Sequence, residues 1–240
     1  MKIIDAFWER RNLGVDVTEV EFDINDDISV MNEFDKIKQT PYMVVKIPSN
    51  RNEIVTEISK RGFFYIENSI QLIHNLKDIP VKNSILRLCE RCFVEVMNKQ
   101  EMEQLFDEIQ RGMFETDRIY LDEHFSKEQA ANRYINWIND LGKKNVYPKK
   151  IEYNNEIVGF FLSEYTSDVV AHGILGGVYN GYKQSGMGVL MELESLLEAK
   201  KNGIKLYKTA VSSNNLPVLQ IMMSLGFQIT EINTVFVKSS

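Results

Sequence analysis

The chain has 240 residues, of which 44% are hydrophobic, so it can bury a sizeable core as one large domain or two small ones. A formal net charge of −6 with no long basic run argues against nucleic acid as the main partner. No stretch approaches an apolar membrane span, and the opening MKIIDAFWERRNLGV has no signal-peptide core, so a cytoplasmic protein is expected.

In chain order, TPYMVVKIP (40–48) reads as a buried strand, NRNEIVTEISKRG (50–62) as a helix ending at Gly62, and FFYIENSIQLIH as a second strand. NLKDIPVKNS (75–84) is polar, carries Pro80 and reads as a linker. ILRLCERCFVEVM alternates like a strand. Asn98 can cap a helix over KQEMEQLFDEIQRGMF, DRIYLDEHF reads as irregular, and Ser126 with Gln129 makes a capping box for KEQAANRYINWINDLG. Residues 149–178 read as three strands turning at Asn154-Asn155 and Thr166-Ser167. A helix follows Gly186 and Gly188, then come a strand over 205–211, a helix NLPVLQIMMSLG and a last strand FQITEINTVFVK. SNNLPVLQIMMSLGF (213–227) also aligns without gaps on SNRNEIVTEISKRGF (49–63), which suggests two halves built on one plan.

Cys89 and Cys92 form one C-x-x-C with no second pair and no His at ligand spacing, so reduced, buried thiols are expected rather than zinc. His74, His124 and His172 are scattered and spell no metal site, and none is expected. The glycine pair is the informative feature. Glycine at the mouth of a helix lets a ligand approach free N–H groups at the positive end of the dipole, which suits a phosphate. A tight turn that merely needs positive φ would use the same residues.

Lys183-Gln184-Ser185-Gly186-Met187-Gly188, placed after an antiparallel meander, resembles the Arg/Gln-x-x-Gly-x-Gly/Ala signature of the GNAT superfamily of acyl-CoA N-acyltransferases, with lysine in the first position. Asn215, Val218, Met222, Gly226 and Phe227 are similar to that superfamily's Asn-x-x-Ala-x-x-x-Tyr-x-x-x-Gly-Phe, with valine for alanine and Met222 for the tyrosine. This resemblance covers roughly residues 87–240. A narrower one, to the dTDP-fucosamine (dTDP-4-amino-4,6-dideoxygalactose) N-acetyltransferases, rests on FWERRNLGVDV (7–17) and on Arg118, Tyr134, Trp137 and Ile138. Tyr134 and Trp137, three apart on one helix face, read more simply as core.

The resemblance implies an α/β (α+β) fold: a mixed, mostly antiparallel central sheet flanked by helices, with a smaller N-terminal half of the same style. It divides the chain into an accessory unit over 1–84 and an acetyltransferase unit over 85–240. It implies acetyl-CoA as donor, held by Gly177, Val178, Lys183, Gln184, Ser185, Gly186, Met187, Gly188, Val189 and Asn215. Asn215 reads equally well as a helix cap. The acceptor it implies is a primary amine on a small molecule, most simply a nucleotide-linked amino sugar near Trp8, Glu9 and Arg118, with room for a homodimer. Trp8 as a core anchor is the competing reading. Met222 cannot donate the proton that the family's tyrosine gives the departing sulfur, which leaves Ser213, Tyr179 or water. Protein or peptide N-acetylation, and acyl-CoA binding without turnover, are the alternatives.

Overall fold

The computed structural model describes residues 1–239. The N-terminal part contains β1 (Lys2–Asp5), α1 (Phe7–Leu13), β2 (Val17–Glu21), α2 (Met31–Phe34), β3 (Tyr42–Pro48), α3 (Asn52–Lys60) and β4 (Phe64–His74). A connector then leads to α4 (Asn83–Cys89), β5 (Cys92–Val96), α5 (Lys99–Gln110), α6 (Arg118–Leu121) and α7 (Lys127–Gly142). The antiparallel meander β6 (Lys149–Tyr153), β7 (Glu156–Tyr165) and β8 (Val170–Val178) follows. The chain closes with α8 (Met187–Lys201), β9 (Leu206–Ser212), α9 (Leu216–Ser224) and β10 (Gln228–Ser239).

These strands form one ten-stranded sheet in the order β1-β2-β3-β10-β4-β9-β8-β7-β6-β5. Every neighbouring pair is antiparallel except β2 with β3 and β8 with β9. The expected mixed, mostly antiparallel sheet between helices is therefore present. Side-chain alternation sends Met43, Val45, Ile47, Leu72 and Val211 to one face, against α2, α3, α8 and α9. Tyr42, Val44, Val235 and Val237 point the other way, toward α1, α6 and α7. Both faces carry apolar layers, which is why central strands such as β3 read as continuous hydrophobic runs.

The sequence echo acquires a topological meaning. The unit β3-α3-β4 and the unit β9-α9-β10 exchange their last strands: β10 lies between β3 and β4, and β4 lies between β10 and β9. The residues at the two helix starts have nearly the same backbone, Arg51 at φ −98°, ψ 61° and Asn215 at φ −97°, ψ 60°. Each unit's first strand also has a parallel neighbour, β2 for β3 and β8 for β9.

Local signals held where the chemistry is local. Asn98 and Ser126 both form full capping boxes, with Glu101 and Gln129. Asn154 and Asn155, at φ 53° and 65°, make the two-residue turn between β6 and β7. Three expectations need correcting. ILRLCERCFVEVM is a helix, α4, and then a strand, because Ile85, Leu86 and Cys89 pack as one helical stripe on the core beneath α8. Cys89 and Cys92 are free but half-buried, and desolvation beside Glu194 raises both thiols, that of Cys92 to about 11. DRIYLDEHF contains the one-turn helix α6, capped by the Asp117 carboxylate on Ile119 N–H at 2.8 Å. No helix is long and apolar enough to cross a membrane, and no group of three or more His, Cys, Asp or Glu side chains could hold a metal ion among the described residues.

Candidate active site

β8 and β9 run in parallel, pairing Val170 with Leu206, Ala171 with Tyr207 and His172 with Lys208, and then part. Two features cause the split. Register between β7 and β8 jumps from Leu162–Leu175 to Ser163–Gly173, so Ile174 is an extra, bulged residue that turns β8 away. Gly173 lies against Tyr207: a Cβ there would stand 2.6 Å from the tyrosine oxygen, which only glycine avoids. By contrast β2 and β3 stay paired at five consecutive positions.

Past the end of β8, the loop 179–186 delivers the chain to α8. Gly186, the residue before the helix, has φ 86°, and Gln184 is also left-handed at φ 63°. The N–H groups of Gln184, Gly186 and Gly188 have no acceptor among the described residues, and nothing lies within 4 Å of where a Cβ on Gly186 would be. Ser185 donates to the Tyr182 carbonyl and accepts from Met187 N–H at 3.4 Å. This is an open anion seat at a helix N-terminus. Lys183 stands beside it with Nζ on the Gly112 carbonyl at 2.8 Å, and Val189 is in the first helical turn. Gly177 and Val178 end β8 opposite Phe160 and Gly159.

The parting strands open a cleft of about 850 Å³ that reaches both faces of the sheet. On the α8 side it is lined by Met191, Glu192, Tyr207, Val218 and Met222; on the α6 and α7 side by Glu67, Asp117, Arg118, Arg133 and Trp137. The second side is a polar cluster. Arg118 Nη2 binds Glu19 at 2.5 Å and lies 3.7 Å from Glu9; Arg133 Nε donates to Glu9 at 2.7 Å; Lys46 donates to Glu19 at 2.9 Å. Burial alone would raise the Glu19 carboxyl, but Arg118 and Lys46 outweigh it and hold the group at about 2. Two buried atoms here have no partner among the described residues, Arg118 Nε and Glu67 Oε2. Glu67 is 8% exposed, and desolvation pushes its carboxyl above the usual range despite Ser212 and Arg118 nearby. Buried polar atoms are nearly always satisfied, so the two orphans lining one cleft call for a polar partner there, a water or a ligand.

A second cavity of about 860 Å³ adjoins the first through Arg118, Arg133 and Trp137. Its walls include Phe7, Trp8 and Trp137, with Arg11, Lys143 and Lys144. Trp8 is 40% exposed and edge-on to Phe7, and Trp137 is 39% exposed, so neither is core; Tyr134 is.

The strand split, the bulge beside it and the free amides at the start of α8 decide the architecture. The chain has the GNAT fold. It is similar to a GCN5-related N-acetyltransferase from Sphaerobacter thermophilus, at 11% identity and a TM-score of 0.63 over 99% of this chain and 75% of that one. A GCN5-related N-acetyltransferase from Kribbella flavida gives 13% and 0.54 over 94% and 82%. A tandem GNAT protein from the clavulanic acid biosynthesis pathway gives 10% and 0.52 over 82% and 64%. No protein-family model and no curated protein matches the sequence.

Within the GNAT fold the remaining sequence candidates are dispersed. Met222 lines the cleft and is 5% exposed. Tyr179 does not line it; its hydroxyl is buried in the cluster around Leu105 and Phe160, with no partner among the described residues. Ser213 is turned away, accepting from Asn68 N–H at 2.9 Å. Arg118 is no unpaired loop cation, since Glu19 and Glu9 neutralise it. Asn215 lines the cleft and also accepts from Val218 N–H at 3.4 Å. Asn215→Ala is therefore expected to lower stability by about 1 kcal/mol, the usual worth of an N-cap, with a fall in Tm as the readout and acetyl-CoA affinity little changed.

Sequence reasoning passed over Glu67 and Glu192. Glu67 carries no sequence signal. For Glu192 there was one: Glu192 and Glu194 are two apart, about 200° around a helix, so both cannot share one solvent face.

Proposed function

We propose that the protein transfers an acetyl group from acetyl-CoA to a primary amine of a small molecule, a nucleotide-linked amino sugar. The observation that carries this is the parting of β8 from β9 beside the unbonded amides of the α8 N-terminus. These residues fit the donor: Gln184 to Val189 would hold its pyrophosphate, and the edge of β8 that β9 leaves free, from Ile174 to Val178, would receive the amide groups of its arm. Bound there, acetyl-CoA supplies an activated thioester.

The rest is done by this chain's residues. An ammonium must lose a proton before it can attack, and Glu67, facing the cleft with one free oxygen and a raised pKa, is the group placed to take it. N–H groups along the edge of β8 that β9 leaves would stabilise negative charge developing on a carbonyl oxygen. The adjoining cavity supports the nucleotide: Trp8 and Trp137 offer stacking faces, and Arg11, Lys143 and Lys144 supply charge for a diphosphate. Residues 1–84 act as the accessory unit, contributing Trp8, Arg11 and Glu67 to a site completed by residues 85–240.

Titration with acetyl-CoA in a calorimeter, followed by mass spectrometry of incubations with nucleotide-linked 4-amino sugars, tests the reading. Binding with a mass gain of one acetyl group supports it. Because Met222, Tyr179 and Ser213 place no hydroxyl acid in the cleft, binding without transfer is the reading that failure would favour.

A further inference from the structure

Glu192 stands in the middle of α8 among Leu190, Met191, Leu193 and Leu196, on a helix buried almost all round. It is 7% exposed, and its carboxyl has no hydrogen-bond partner among the described residues. What little of it is open faces the cleft, which it lines together with Gly173, Gly176, Tyr207 and Met222. A carboxylate is costly to keep charged in such a place, so burial favours the protonated form and pushes the group up to about 7.

Its surroundings leave few competitors. Tyr207, on β9, is its ionisable neighbour; the hydroxyl shares a 2.7 Å hydrogen bond with Ser163, and burial raises it to about 12. Ser195 is turned back on the helix, its Oγ donating to the Glu192 carbonyl at 2.8 Å. The cleft-lining residues that β8 and α9 bring to this side, Gly173, Gly176, Val218 and Met222, have no ionisable side chain. His172 and Lys208 alternate onto the opposite face of the sheet.

We infer that Glu192 is the proton donor to the departing sulfur in acetyl transfer, replacing the hydroxyl that Met222 lacks. The inference rests on the function proposed above. As the carbon–nitrogen bond forms and the carbon–sulfur bond breaks, the electron pair leaves with sulfur. Sulfur takes the proton from Glu192, which becomes a carboxylate and regains a proton from water in the cleft. The ammonium gives its first proton to Glu67 before the attack; the second, shed from nitrogen once the carbon–nitrogen bond has formed, passes to water in the cleft.

The first test needs no acyl donor. Carboxyl carbon NMR, with the Glu192 signal identified by its loss in Glu192→Gln, should give a midpoint near 7; a midpoint below about 5 would overturn the inference, since an ordinary carboxylate is no proton donor at neutral pH. Second, Glu192→Gln should lower kcat roughly tenfold or more and remove the fall of kcat as pH rises through 7, with the acetyl-CoA dissociation constant within about twofold of wild type. Glu192→Leu, free of any hydrogen-bonding group, should show the same loss. Third, adding Met222→Tyr to Glu192→Gln should recover part of kcat. Turnover and pH profile unchanged in Glu192→Gln would overturn this inference alone. Wild-type protein that fails to bind acetyl-CoA would remove the acetyltransferase reading and this one with it.

Discussion

Glu67→Gln is expected to lower kcat/KM about a hundredfold or more, the scale of a lost general base, while leaving acetyl-CoA binding intact. The substitution keeps the shape of the side chain and removes only its ability to take a proton. In the wild type, activity should climb as pH rises through the raised pKa of Glu67; in the variant that limb should vanish. Stability should move the other way. Because the folded-state pKa lies above the ordinary 4.5, the native protein holds an extra proton between those values, and its stability falls as pH rises through that window. Glutamine has no proton to lose, so near neutral pH the variant should melt no lower than wild type. A variant that loses activity and Tm together would mean that Glu67 serves the fold rather than the chemistry.

Gly186→Asp is the second large effect. At φ 86° an aspartate side chain is strained even though nothing crowds the position, and its charge would sit where a pyrophosphate must. Helix-terminal anion contacts are worth roughly 0.3–2 kcal/mol each, and several would be lost together, so acetyl-CoA affinity should drop by about a hundredfold or more. Calorimetry reads this directly, and a circular dichroism melt shows whether the fold survives. An unchanged dissociation constant would take the loop out of the site.

What could be read from the sequence was what short-range chemistry dictates. Caps at Asn98 and Ser126, the Asn154-Asn155 turn and the glycines before α8 each involve groups within a few residues of one another. β1 and β2 were missed for the opposite reason. Glu19 looks like a solvent-facing residue in VTEVE, and it is buried only because Lys46 and Arg118, distant in sequence, neutralise it. α4 looked like a strand because ILRLC suits either period; packing beneath α8 chose the helix. The donor loop belonged to the first kind of signal. The carboxyls at 67 and 192 belonged to the second, being functional candidates only because the fold buries them beside the cleft.

The exchanged strands bear on how the molecule is made. During synthesis β3 and β4 leave the ribosome more than 150 residues before β10, the strand that joins them, and β4 must also wait for β9. Until residues 228–239 emerge, both early strands keep unpaired edges, the kind of surface that recruits other chains. The sheet cannot zip outward from its N-terminal end. Its centre closes last, so the N-terminal unit and the donor cleft should reach their native state in one step, and nascent chains stalled before β10 should be the species that chaperones hold.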